Sequence, residues 1–173
     1  MSSPLLLKLT DGKMTEENFK MLFEVFTKLA AKKKYITSNQ NDIKLIIDTL
    51  IEYLISVKDN KDTKYFDIFM QLNMIKEIIG LTSENNRIIN IAVFKGFALL
   101  LSNLSNHDQL LYLFSNNYIN RLLCLPYDNT DTDFVYYYIN FIKSLVMKID
   151  NKTVNYFFNN KFYLYNMLKL YYN

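Results

Sequence analysis

The sequence predicts an all-α protein built as an armadillo- or HEAT-like helical repeat stack, an α-solenoid of about three units with an incomplete last one. Three observations support this fold class. Apolar residues recur at spacings of three and four, and no strand-like alternation is sustained. The 173 residues include only 3 Gly and 2 Pro, too few for a turn-rich β-sandwich or barrel. The predicted helix lengths follow the order short, short, long, and this order repeats.

Each predicted helix has an apolar stripe along one face. In chain order the helices span residues 16–33, 42–57, 64–70, 74–79, 84–103, 108–114, 118–123, 131–149, 154–158 and 162–171. Several helix starts are marked by residues that accept hydrogen bonds from free backbone N–H groups. Thr82 or Ser83 is the expected N-cap of the fifth helix, and Asp131 places an acceptor and a negative charge at the start of the eighth.

Three segments with a similar aromatic pattern set the length of the repeat. Taking Phe69, Phe114 and Phe158 as equivalent positions gives offsets of 45 and 44 residues (114 − 69 and 158 − 114). Armadillo and HEAT repeats have this length, and their units stack because a single unit cannot bury its own apolar face.

The repeat pattern predicts one domain over residues 16–173, preceded by a flexible N-terminus at residues 1–15. Full units are expected at 61–105 and 106–150, with a partial unit after them. A non-repetitive helical bundle is the structural alternative, because amphipathic helices can be similar to one another by chance.

The residues on which catalysis and metal binding usually depend are scarce. Cys124 and His107 each occur once, which excludes an internal disulfide, a cysteine-based zinc cluster and a histidine-rich metal site. Asp108 could polarise His107 as a base, but no nucleophile lies nearby, and a histidine at a helix start is the favoured interpretation. Cys124 has no basic neighbour in its apolar helix end and is expected to be an inert thiol. We therefore expect no enzyme activity and no cofactor.

Charge and hydropathy narrow the classes of partner. The net charge of +3 is too small to indicate nucleic-acid binding by itself. A helical-repeat nucleic-acid-binding module is nevertheless the alternative function, because the pI is about 8.7 and Lys and Tyr residues are interleaved. No segment is apolar enough to span a bilayer, and the N-terminal apolar run is too short for a signal peptide, so a cytoplasmic location is expected.

A stripe of polar and aromatic residues on helix 131–149 is the first candidate protein-binding site. The expected core face of this helix consists of Phe134, Tyr138, Ile142, Leu145 and Ile149. Tyr136, Asn140 and Lys143 follow one another at helical spacing on a different face. An exposed Tyr beside Asn and Lys is suited to protein contacts, although ordinary solvated surface explains the stripe equally well.

The C-terminal end of the stack is the second candidate. The last unit lacks a long helix that would cover its apolar and aromatic side chains, which are Phe158, Phe162, Tyr165, Leu168 and Tyr172. Terminal repeats usually have a polar outer face, so this end is expected to self-associate or to dock a further segment or partner. The alternative is that other helices of the chain fold over the patch.

Two strings of residues in the second half of the chain are specific enough to indicate a family. They read Leu-Phe-Ser-Asn-Asn-Tyr at 113–118 and Tyr-Tyr-Ile-Asn-Phe-Ile-Lys-Ser-Leu at 137–145. In these strings, and more weakly over most of residues 20–173, the sequence resembles the FPL-domain family. The Phe-Pro-Leu signature of that family reads Phe162-Tyr163-Leu164 here.

The resemblance implies a function that composition and spacing do not provide. It implies a non-catalytic protein-interaction scaffold in endosome and lysosome vesicle trafficking and autophagy. The implied partners are proteins of the endolysosomal trafficking machinery. The implied location is cytoplasmic, with peripheral association with endosomal, Golgi or lysosomal membranes.

Overall fold

The protein is described by a computed structural model over residues 4–32, 36–57, 62–83, 86–125 and 130–158. The predicted all-α class is confirmed, because the regular structure in these ranges is entirely helical. The described helices are α1 (Pro4–Thr10), α2 (Glu16–Ala31), α3 (Ile36–Ser56), α4 (Lys64–Gln71), α5 (Met74–Gly80), α6 (Arg87–Asn103), α7 (His107–Ser115), α8 (Tyr118–Leu123), α9 (Thr132–Val146) and α10 (Asn155–Phe158). None of them is both long enough and apolar enough to cross a membrane.

The N-terminal segment differs from the flexible stretch expected at residues 1–15. Pro4–Thr10 forms α1, and the side chains of Leu6 and Leu9 are buried. These two leucines lie three positions apart, so a single helical face brings both against α2 and α3. The physical reason for the difference is that two buried leucines are enough to hold a two-turn helix on a larger apolar surface.

The caps of the long helices agree with the sequence in one case and differ in the other. Asp131 caps α9 as expected, since its side chain accepts a backbone hydrogen bond from the first turn. The N-cap of α6 is Asn86 instead of Thr82 or Ser83. Thr82 instead donates its hydroxyl to the carbonyl of Ile79 at 2.7 Å, which helps to end the preceding helix.

The order short, short, long occurs twice, as α4–α5–α6 and as α7–α8–α9. A shared backbone feature marks both units: Asn73 and Asn117, between the two short helices, have left-handed φ values of 46° and 57°. Few residues other than Gly adopt this conformation, and Asn is among those that do. Phe69 and Phe114 are both buried, as expected. Aligning the two units on these asparagines (117 − 73 = 44) makes Leu113 the counterpart of Phe69. The predicted equivalence of Phe69 with Phe114 is therefore off by one residue.

The long helices α6 and α9 pack side by side and run in the same direction. At their N-terminal ends Arg87 forms an ion pair with Asp131. At their C-terminal ends the hydroxyls of Ser102 and Ser144 lie 3.1 Å apart. Because the N-terminal ends contact each other and the C-terminal ends contact each other, the two helices are parallel. Two helices of one hairpin would be antiparallel.

On its other side α6 packs against α3, and a glycine allows the close approach. The Lys95 ammonium lies 3.7 Å from the carboxylate of Asp48 on α3. A Cβ placed on Gly96 would lie 3.0 Å from Cγ1 of Ile51, closer than such atoms normally pack. The missing side chain therefore leaves room for α3, as expected for a glycine where two elements approach closely.

The interface between α6 and α9 is aromatic. The ring of Phe94 lies 5.3, 5.1 and 5.5 Å from the rings of Phe134, Tyr138 and Phe141 on α9. Tilted and edge-on arrangements at these distances are favourable beyond the burial of apolar area. The predicted core face of α9 is wrong in part, because Phe141 is buried where Ile142 was expected and Ile142 is half-buried. The helix α9 is therefore turned about its own axis so that Phe141, and not Ile142, contacts Phe94 of α6.

Candidate interaction surface

The long helices present a continuous outer face, which we define as their exposed or half-exposed side chains on the side away from the core. On α3 and α6 its members are Lys44, Asp48, Ile88, Ile91, Lys95, Leu99 and Ser102, and on α9 they are Asp133, Tyr136, Asn140, Lys143 and Met147. Asp48 of α3 lies beside Lys95 of α6, and Asp133 of α9 lies beside Arg87 of α6, so residues from all three helices meet on this face.

The stripe predicted on α9 lies on this outer face. The Tyr136 side chain is 61% exposed, Lys143 is exposed and Asn140 is half-buried. The ring of Tyr136 packs edge-on against that of Tyr137 at 5.2 Å, which limits the directions in which Tyr136 can point. The structure therefore brings the three predicted residues together at the surface, and their binding role stays a prediction.

A shallow cavity of about 260 Å³ lies beside this stripe, and sequence reasoning did not find it. It is lined by Lys44, Arg87, Ile88, Ile91, Asp133 and Tyr137, from all three long helices. The repeat length offered one usable signal. Arg87 and Asp131 lie at the starts of successive long helices, so stacking in register brings their opposite charges together.

Ion pairs neutralise much of the charge on the outer face. The Nη2 atom of Arg87 lies 2.7 Å from Oδ1 of Asp131 and 3.3 Å from Oδ2 of Asp133. The hydrogen bond from Arg87 lowers the pKa of Asp131 below its usual value. The Lys44 ammonium donates to Asp48 at 2.8 Å. This alternation of paired signs does not favour the nucleic-acid hypothesis, which needs unpaired cations along a track.

His107 and Cys124 lie at helix ends, His107 at the start of α7 and Cys124 at the end of α8. His107 begins α7, as predicted, and its Nδ1 atom lies 3.9 Å from a carboxylate oxygen of Asp150. Hydrogen bonds from the backbone N–H groups of Thr153 and Lys152 lower the pKa of Asp150. Cys124 is half-buried at the end of α8. In the part of the chain that the structure describes, no three His, Cys, Asp or Glu side chains are grouped to hold a metal ion.

The second predicted surface lies almost entirely outside the described residues. Phe158 is the last residue of α10, but its side chain is not among those described. The same holds for the whole of Phe162, Tyr165, Leu168 and Tyr172. The C-terminal interface therefore stays a prediction.

Comparison with known proteins places the chain beside a group of much longer relatives. A family model described as FPL, an uncharacterised conserved protein, matches residues 47–173. The chain is 30% identical to Protein CLEC16A of Mus musculus and of Homo sapiens over 155 residues, which are 86% of this chain and 14% of each relative. The Protein CLEC16A homolog of Drosophila melanogaster is 27% identical over 162 residues, covering 89% of this chain and 15% of the relative.

The chain thus spans about a seventh of the length of these relatives. No solved structure matches it.

Proposed function

Because the chain belongs to the FPL family, we propose that it is a non-catalytic protein-interaction scaffold in endosome and lysosome vesicle trafficking and autophagy. The family match over residues 47–173 is the observation on which this function rests. That match includes α4 to α9, so the paired helical units and every residue of the outer face except Lys44 lie inside the family region.

The proposed architecture of the scaffold is an armadillo-like stack. Three observations support it: the repeated order of helix lengths, the left-handed Asn73 and Asn117 at corresponding junctions, and the parallel packing of α6 and α9, with α3 against the other side of α6. In such a stack each unit contributes one long helix to a common surface, which suits the recognition of extended partners.

The proposed binding surface is the outer face around Tyr136, Asn140 and Lys143. Tyr136 supplies a rigid exposed ring, and Asn140 and Lys143 supply hydrogen-bond donors one turn apart. The adjacent cavity beside Tyr137 offers a place for a small side chain of the partner. The partners are proposed to be proteins of the endolysosomal machinery, and membrane association is proposed to be peripheral and mediated by them.

Proximity labelling in cells tests the proposed location. The full chain is fused to a biotin ligase, and the ligase alone is the control. We expect enrichment of endosomal, lysosomal or autophagic proteins over the control and co-fractionation of part of the chain with those membranes. A nuclear distribution, or a labelled set without any vesicle-transport protein, would contradict the proposal.

A matched pair of variants tests the proposed surface. Replacing Tyr136, Asn140 and Lys143 together with Ala should abolish most of the labelling of specific partners and leave the thermal midpoint nearly unchanged. The control replaces Lys20, Glu24 and Lys28 with Ala, because these residues are exposed on α2, away from the outer face. Equal labelling by both variants would exclude the stripe, and a large loss of thermal stability would show that its residues are part of the core.

A further inference from the structure

The side of α9 that faces away from α6 has a row of aliphatic residues with no charge in it. We call this the aliphatic row; its members are Val135, Ile139, Ile142 and Val146. The side chain of Ile139 is 39% exposed and that of Val146 is 51% exposed, while Val135 and Ile142 are half-buried. The intervals of four, three and four residues are those of the apolar seam of a coiled coil.

The corresponding row on α6 is covered. The two helices begin at Arg87 and Thr132 (132 − 87 = 45), so the aliphatic row corresponds to positions 90, 94, 97 and 101 of α6. All four of these residues are buried, and the ring of Phe94 contacts three rings of α9. On α6 this side is an interface with the next long helix, whereas on α9 no described residue covers Ile139 or Val146.

The two ends of the described stack are unlike. The free side of α3 is covered by α1 and α2, which pack against it with buried residues such as Leu6, Phe19 and Phe26. A second copy therefore finds no open long helix at the N-terminal end. Association through the aliphatic row must join like ends, which closes at a dimer and does not propagate into a fibre.

We propose that the aliphatic row is a homodimer interface in which α9 packs antiparallel against α9 of a second copy. The row is palindromic in both residue type and spacing. Under a two-fold axis midway between Ile139 and Ile142, each of these residues faces the other, and Val135 faces Val146. The same symmetry brings Lys143 beside Tyr136 of the other copy, where an ammonium and an aromatic ring attract each other.

The size of the row sets the strength of the dimer. Four aliphatic side chains on one face of a 15-residue helix bury far less than the roughly 800 Å² per partner of a standard stable interface. The dimer is therefore weak, and its population depends on protein concentration. It does not depend on the proposed trafficking function.

Sedimentation velocity over a hundredfold range of protein concentration tests the proposal. The full chain should shift from monomer towards dimer without forming larger species. Ile139→Lys, at the centre of the row, should abolish the shift. Leu99→Lys is the matched control, because Leu99 has nearly the same exposure, 40%, but lies on the outer face of α6. A chain that stays monomeric throughout, or an Ile139→Lys variant that still dimerises, would overturn the proposal.

Two further measurements test the antiparallel register of the dimer and whether other residues of the same chain cover the aliphatic row. In a Cys124→Ser background, mixing Ile139→Cys with Ile142→Cys should give a disulfide-linked dimer much faster than mixing Val135→Cys with Ile142→Cys. Equal rates would contradict the antiparallel register. A thermal midpoint of Ile139→Lys well below that of Leu99→Lys in dilute solution would mean that the row is covered from within the chain, which also overturns the dimer.

Discussion

The long helices α6 and α9 show how the same side of a helix can be core in one place and surface in another. On α6 the side that carries Phe94, whose ring contacts α9, also carries Phe97 and Leu101, and all three are fully buried. On α9 the corresponding side carries Ile139 and Val146, both exposed. The helical geometry is the same in both. What differs among the described residues is that another long helix, α9, packs on this side of α6, so burial here is decided by the neighbouring helix and not by the helix alone.

Truncation of corresponding residues should give the largest contrast. Phe94→Ala removes a ring that contacts three others, and is expected to cost about 3–5 kcal/mol of unfolding free energy. Ile139→Ala should change it by less than about 0.5 kcal/mol. Urea denaturation at low protein concentration, where the chain is monomeric, measures both. Similar costs would show that the two sides are equally covered.

Filling the space at Gly96 should give the next largest effect. A leucine there meets Ile51 across the contact between α3 and α6, and overpacking of this kind costs about 1–3 kcal/mol. Gly80→Leu is the matched control, since a Cβ at Gly80 meets no atom within 4 Å. Thermal denaturation should show a clear loss for the first variant only. A stable Gly96→Leu variant would mean that α3 and α6 are not packed closely at this point.

Removing one hydroxyl on α9 should have a moderate effect. The Tyr138 hydroxyl is buried and donates to the carbonyl of Leu123 at 3.0 Å, so Tyr138→Phe leaves a buried acceptor without this partner. The expected cost is about 0.5–1.5 kcal/mol. Tyr136→Phe, on the exposed side of the same helix, should have no measurable cost. Urea denaturation of the two variants distinguishes the buried side from the outer face.

The ion pair that joins the starts of α6 and α9 should give the smallest effect. Its hydrogen bond lowers the pKa of Asp131 in the folded state. The resulting stability is complete above the unfolded pKa of about 3.9 and is lost as the pH falls through the lower folded value. Arg87→Gln should therefore lower the thermal midpoint slightly at pH 7, and the difference should shrink below about pH 4. A difference that grows on acidification would contradict the sign.

Helix positions were predictable because each helix buries one continuous stripe, and the three- and four-residue spacing shows directly in the sequence. The predicted helix at 118–123 agrees with α8 residue for residue. The predicted start of α3 at residue 42 was six residues too late, because the polar first turns of α3 do not form an apolar stripe. The helix α1 was missed because a single pair of buried leucines, Leu6 and Leu9, is too short to show a period.

The arrangement between helices was less accessible to sequence reasoning. The stripe of Tyr136, Asn140 and Lys143 was placed correctly on an outward side, since that depends on α9 alone. The burial of Phe141 in place of Ile142 depends on how α9 rotates toward Phe94, which its own spacing does not encode. The cavity across α3, α6 and α9 likewise exists only after the three helices have stacked in register.

Distances between α6 and α9 test the central claim, that successive long helices lie parallel and in register. Spin labels at Ile91 and Tyr136 mark one pair of corresponding positions, and labels at Ser102 and Met147 mark another, in a Cys124→Ser background diluted with unlabelled chain. The two separations should be similar, and the crossed pair Ile91 and Met147 should be longer by roughly 10 Å, because eleven helical residues rise about 16 Å. A crossed pair shorter than the two matched pairs would mean an antiparallel hairpin and would contradict the account.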